Sequence, residues 1–178
     1  MLDGLQRNID YLRVSVTDRC NLRCIYCMPE NGVECLSHAD ILRYEEILRL
    51  VRIFAGLGVK KIRLTGGEPL VRRGLADLVA GLTAIDGIEQ VTLTTNGVLL
   101  AEQLPGLMAA GLGGVNVSLD TTNEDTFRRL TRREGVDRVL AAIDASLAAG
   151  LPTKVNCVPA APEAELLALA ELARTRPL

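Results

Sequence analysis

Gly58-Val59-Lys60-Lys61-Ile62-Arg63-Leu64-Thr65-Gly66-Gly67-Glu68-Pro69 is the stretch whose reading decides the fold. Ile62 and Leu64 alternate with Arg63 and Thr65. Side chains change face at every residue of a strand, so this strand has one apolar and one polar side. The arrangement recurs along the chain. Gly87 precedes residues 88–94, Gly114 precedes residues 115–120, and Gly150 precedes residues 151–157. Each of these glycines follows a segment of helical periodicity, where it can end a helix and turn the chain into a strand.

The helical segments cover residues 44–57, 75–85, 102–110, 136–149 and 163–174. Ile47, Leu48, Val51 and Phe54 share one face of the first, and Val136, Val139, Leu140, Ile143 and Leu147 share one face of the fourth. Pro105 is expected in the first turn of its helix, where a missing N–H does no harm. With a further strand at Leu12-Arg13-Val14-Ser15-Val16, strand and helix alternate five times. That order predicts an α/β fold with a parallel sheet and right-handed crossovers.

Strands covered on both faces read as unbroken apolar runs. Here Val14 and Val16, Val91 and Leu93, and Val117 and Leu119 all alternate with polar neighbours. The expectation is therefore a partial barrel of about five parallel strands with helices outside and a polar lumen. Arg13, Arg63 and Lys154 fall on the polar side. Three cations facing one lumen repel one another unless an anion joins them. A polyanionic ligand is expected, a nucleotide phosphate above all.

A net charge of −2 over 178 residues offers no general attraction to nucleic acid or membrane. The amino-terminal residues lack the apolar core of a secretory signal. No apolar run approaches the ~18 residues of a membrane span. The chain has five cysteines, and Cys20, Cys24 and Cys27 are crowded into one loop after the first strand. This usage points to metal binding in a reducing cytoplasm. Three thiolates with no obvious fourth suit an iron–sulfur cubane with one iron left open. A structural zinc knuckle completed by Cys35 or His38 is the alternative. Otherwise His38 reads as an exposed loop residue and Cys157 as a buried one.

Chemistry in parallel barrels collects where the strands end. Here those ends carry Thr17-Asp18-Arg19-Cys20, Thr65-Gly66-Gly67-Glu68-Pro69, Thr94-Thr95-Asn96-Gly97 and Ser118-Leu119-Asp120. The paired glycines allow backbone to approach a ligand closely. Glu68 is placed to accept hydrogen bonds from an amino group.

The spacing Cys20-x3-Cys24-x2-Cys27, followed by Gly66-Gly67-Glu68-Pro69 after the next strand, resembles the radical S-adenosylmethionine superfamily. The longer strings around Arg13, Tyr26-Cys27-Met28-Pro29, Arg63, Thr94 and Ser118 are similar to the GTP 3′,8-cyclase family, which opens molybdenum cofactor biosynthesis. The resemblance implies a [4Fe-4S] cluster on Cys20, Cys24 and Cys27. It implies S-adenosylmethionine contacts at Tyr26, Gly67, Glu68 and Ser118, and GTP contacts at Arg13, Arg63, Thr94 and Lys154. No side chain is implied as catalytic: a 5′-deoxyadenosyl radical takes the ribose C3′ hydrogen, and the C3′ radical attacks C8 of guanine. An electron donor such as flavodoxin or ferredoxin and a cytoplasmic homodimer complete the expected setting.

A closed eight-strand barrel needs about 250 residues. Members of the family continue into a carboxy-terminal region with three further cysteines for a second cluster, and none of these is in residues 1–178. The chain is thus expected to be the amino-terminal part of the core barrel, its fifth strand an unpaired edge. Another radical enzyme acting on a peptide or tetrapyrrole, or a non-catalytic metal-binding fragment, is the competing expectation.

Overall fold

The computed structural model describes residue 2, residues 4–37 and residues 39–178. His38 lies outside the described residues. Five strands form one sheet: β1 (Tyr11–Ser15), β2 (Lys61–Thr65), β3 (Gln90–Thr95), β4 (Val115–Ser118) and β5 (Thr153–Asn156). They pair in sequence order, and every pairing is parallel. A doubly wound sheet reverses its strand order at a switch point. This one never reverses, so every right-handed crossover falls on the same side. The result is the expected partial barrel, with β1 and β5 as its edges.

The helices are α1 (Tyr44–Gly56), α2 (Leu75–Thr83), α3 (Leu100–Ala109), α4 (Glu124–Thr131), α5 (Val136–Ala148) and α6 (Glu163–Thr175). One core joins their inner faces to the apolar side of the sheet. Ile62, Leu64, Val91, Leu93, Val115 and Val117 meet Ile47, Val51, Leu78, Leu82, Leu107, Val139 and Ile143, all essentially without exposure. Each such side chain contributes about 1.5–3 kcal/mol on burial. None of the described helices is long and apolar enough to cross a membrane.

Two helix expectations change. Pro105 lies inside α3, because that helix starts at Leu100 and not at residue 102. The proline thus leaves the carbonyl four residues earlier, on Ala101, without its usual N–H partner. The second change is α4, a short helix the periodicity analysis passes over. Asn123 caps it, its side chain accepting from Thr126 N at 3.0 Å. Glu124 then accepts from Gly135 N and Val136 N, capping α5 in turn. From α6, Glu165 accepts from the hydroxyls of Thr121 and, at 2.8 Å, Thr126.

Candidate functional site

The site is assembled where β1, β2 and β3 end. Val16 N donates to Thr65 O at 2.8 Å, Gly67 N to Thr17 O at 2.7 Å, and Glu68 N to Arg19 O at 2.8 Å. The glycine pair therefore lies against the chain leading into Cys20. A β-carbon on Gly66, whose φ is +154°, would sit 2.4 Å from Thr17 O, and one on Gly67 would sit 2.3 Å from Arg19 O. The close approach expected toward a ligand is made, on this side, to the protein's own backbone.

The cysteine loop then docks on α4. Arg23 N donates to Thr131 O and Ile25 N to Leu130 O, both at 2.9 Å. Arg132 holds the same loop from the helix end, in a left-handed conformation (φ +56°). Its guanidinium donates to Arg23 O at 2.9 Å and Met28 O at 3.2 Å. Arg23 folds its own side chain back onto Cys20 O and Leu22 O. Between Cys24 and Cys27, the Tyr26 hydroxyl donates to Asp120 Oδ2, while Asp120 Oδ1 accepts from Val158 N at 2.8 Å. Asp120 thereby ties the cysteine loop to β4 and to the segment after β5.

Glu68 is only 1 % exposed. Oε1 accepts from Leu70 N at 3.0 Å and from the Thr95 hydroxyl at 2.7 Å, and Oε2 accepts from Asn96 N at 2.7 Å. Both oxygens accept bonds inside the protein, and through them Glu68 fixes Asn96, while Oε2, with one donor, retains acceptor capacity. Burial pushes its carboxyl upward, against the three hydrogen bonds that favour the ionised form.

Burial likewise pushes the Cys24 thiol up to about 11, with the neighbouring Tyr26 hydroxyl opposing the shift and the charges of Cys20, Asp120 and Cys27 adding to it. The Cys20 thiol is raised by burial first, then by Glu68 and Cys27, while the Leu22 amide lowers it. Among the described residues, no set of three or more Cys, His, Asp or Glu donors converges as if around one ion. A cubane takes one thiolate per iron, so its ligands need not converge on a point. The donor set fits such a cluster on chemical grounds: three cysteine thiols in one loop, with N–H groups aimed at a sulfur. Leu22 N lies 3.4 Å and Asn96 Nδ2 3.9 Å from Cys20 Sγ. Cys35 is exposed and lines a cavity of about 300 Å³ with Asp18, Cys20 and Met28. Cys157 is also exposed, against the expectation of burial, because it follows the unpaired β5 edge.

Below this rim lies the polar side of the sheet. Arg13 stands in register with Arg63, and Arg63 with Thr92. Thr94, Asn116 and Lys154 form a second row. By the strand's rise, that row is about 6–7 Å nearer the rim. The cations thus share a face but occupy two levels. None of the three makes an ion pair among the described residues. Arg63 stacks over Tyr11 at 5.5 Å and bonds Thr92 Oγ1 at 3.3 Å. Arg63, Thr92, Asn116 and Lys154 line a cavity of about 340 Å³. Ser118 lines a smaller one of about 40 Å³ with Cys24, Tyr26, Asn96 and Asp120. The structure thus brings Cys20, Cys24, Tyr26, Gly67 and Ser118 to the rim, and Arg63 and Lys154 to one cavity beneath it. Arg13 and Thr94 face the same side of the sheet but do not line that cavity.

Asn96, Asp120 and Arg132 are the site residues to which the sequence analysis assigns no role. Asn96 and Asp120 stand at strand ends, which marks them as rim residues, but their partners are 75 and 94 positions away. Arg132 could be found only through α4, whose one local signal is the Asn123 cap before Glu124 and Asp125.

A family model described as the radical SAM superfamily matches residues 14–173. GTP 3′,8-cyclase of Moorella thermoacetica is 52% identical over 181 residues, covering 100% of this chain and 56% of that protein. GTP 3′,8-cyclase of Petrotoga mobilis is 53% identical over 159 residues, covering 89% and 49%. Molybdenum cofactor biosynthesis protein 1 of Drosophila melanogaster is 48% identical over 180 residues, covering 100% and 32%. The chain spans about half the length of the bacterial relatives it matches. Among solved structures, Streptococcus suis SuiB bound to S-adenosylmethionine aligns with a TM-score of 0.78 at 19% identity, over 92% of this chain and 37% of that one. The [FeFe]-hydrogenase maturase HydG aligns at 0.71 and 20% identity, over 92% and 40%. These two likenesses establish the fold. The family match over residues 14–173 shows that this chain belongs to the radical SAM superfamily.

Proposed function

We propose that the protein is a GTP 3′,8-cyclase, acting in the first step of molybdenum cofactor biosynthesis. The observation that carries this reading is the cationic face of the sheet. Arg13 and Arg63 are adjacent in register, with Lys154 one row above, and none makes an ion pair among the described residues. Like charges this close are stable together when an anion bridges them, and a triphosphate supplies one. The relatives named as GTP 3′,8-cyclases, about half identical to this chain, support GTP as that anion.

Cys20, Cys24 and Cys27 would hold a [4Fe-4S] cluster, with Tyr26, Gly67, Glu68 and Ser118 beside the S-adenosylmethionine it would bind. When bound, the cluster and S-adenosylmethionine supply one-electron cleavage of the carbon–sulfur bond, the electron coming from a flavodoxin or ferredoxin. The chain's own residues do the rest. Arg63 and Lys154 fix the phosphates, which sets how far the ribose reaches toward the rim. Thr94, in register with Asn116 in the upper row, is on the same side of the sheet and would contact the nucleotide there. Asp120 and Arg132 hold the cysteine loop in place while substrate binds.

The test is binding of labelled GTP to the wild type and to Arg63→Ala, with metal analysis after anaerobic purification. Removing one charge-assisted phosphate contact should weaken binding by about 1.5–3 kcal/mol, at least tenfold. Equal weak binding by both proteins would favour an enzyme acting on another substrate. Zinc in place of iron and sulfide would end the radical reading altogether.

A further inference from the structure

We infer that Asn96 is a positioning residue that tunes the reduction potential of the cluster proposed above, by aiming its side-chain amide at the sulfur of Cys20. The inference rests on the cluster assignment and concerns a residue outside the ligand set.

The orientation of the amide is determined by its other bonds. Asn96 follows β3 directly, and its backbone N–H is held by Glu68 Oε2 at 2.7 Å. Its Oδ1 accepts from Val98 N at 3.1 Å, closing a local turn. The amino group must then face the other way. The amino group donates to Asn21 Oδ1 at 2.8 Å and to Cys20 Sγ at 3.9 Å. Flipping the amide would set Oδ1 against the Asn21 oxygen and the amino group against the Val98 N–H, losing both bonds. The donor is therefore fixed from three sides before any cluster is present. Leu22 N, at 3.4 Å, is the second N–H on the same sulfur.

Hydrogen bonds to a ligating sulfur withdraw electron density, and reduction adds negative charge. Donors therefore favour the reduced cluster and raise its potential. Asn96→Ala removes the donor. Asn96→Asp keeps the acceptor for Val98 N, and so the turn, but replaces the donor with a carboxylate beside the sulfur.

The experiment is a redox titration of the reconstituted protein, followed by electron paramagnetic resonance, with iron and sulfide content and far-ultraviolet circular dichroism measured on the same samples. Asn96→Ala should shift the one-electron equilibrium toward the oxidised cluster by threefold to tenfold, tenfold being ~59 mV. Asn96→Asp should shift it further in the same direction. Wild-type potentials in both variants, at full iron and sulfide content, would overturn the inference and leave the cluster assignment standing. Loss of iron and sulfide from both variants, but not from the wild type, would also overturn it, making Asn96 a scaffold of the cysteine loop. A wild type that takes up no iron and sulfide would sink the cluster assignment itself.

Discussion

Replacing Gly67 with alanine tests how the cysteine loop is held. The backbone of Gly67 has no positive φ, so alanine adopts it without conformational strain. The whole effect is therefore steric. The new β-carbon would lie 2.3 Å from Arg19 O, 2.6 Å from Arg19 C and 2.9 Å from Asp18 O, all backbone atoms. To regain ordinary contact that backbone must retreat by about 1 Å. Such a movement breaks the 2.8 Å bond from Glu68 N to Arg19 O and strains the 2.7 Å bond from Gly67 N to Thr17 O. Two bonds broken or weakened at about 0.5–1.5 kcal/mol each, plus a buried N–H left unmade at about 1–3 kcal/mol, come to about 2–6 kcal/mol. The entropy gained by restricting the unfolded chain returns about 0.4–1 kcal/mol. For a domain of this size the net loss of about 1–5.6 kcal/mol lowers the melting temperature by about 2–22 °C. Thermal unfolding followed by circular dichroism reads this directly, with iron content of the reconstituted protein as a second measure, since Cys20 is the next residue to move. A melting temperature unchanged from wild type would show that the Gly67 backbone has room for a β-carbon.

Gly106→Ala is the matching control. It lies inside α3, and its β-carbon would meet only Ala76 Cβ, at 3.9 Å, so a gain of about 0.5–1 kcal/mol is expected in urea unfolding. Arg132→Ala removes two hydrogen bonds from the cysteine loop, and amide hydrogen exchange across residues 23–28 should accelerate by about tenfold. Tyr26→Phe removes the bond to Asp120 while keeping the ring; it should loosen the same loop but leave exchange in α5 unchanged. The Arg176 guanidinium holds the Asp144 carboxyl below its ordinary range, and the pair is largely solvent-exposed. A carboxyl depressed in the folded state stabilises it above the unfolded pKa and loses that contribution as pH falls through the folded value. Arg176→Ala should therefore lower stability by less than about 1 kcal/mol at pH 7, and the difference should fade below about pH 4 and in high salt.

The alternation of Ile62 and Leu64 with Arg63 and Thr65 was enough to predict a sheet with one face against helices and one polar. The parallel pairing agrees, because a period of two and a helix between successive strands are both local properties of the chain. The three-cysteine loop and the strand ends were legible for the same reason. Residues that carry chemistry in consecutive positions need no tertiary information to be noticed.

Contacts between distant positions lay beyond such reading. Nothing near Glu68 says that its carboxylate turns inward to Thr95 and Asn96, since those donors arrive only when β3 pairs with β2. Arg13 and Arg63 could be assigned to one side from alternation, but their shared level depends on how β1 slides against β2. Alternation records which side a residue faces and says nothing of how far along that side it sits. Short polar α4 hid its role because its hydrophobic contacts are few, while its value lies in the carbonyls of Leu130 and Thr131 that dock the cysteine loop. The sequence by itself determined the strand–helix alternation and the identity of the chemical groups, because both follow from local periodicity and residue type. Tertiary structure alone decided which of those groups meet, because a hydrogen bond requires two backbones to be brought within about 3 Å by packing elsewhere.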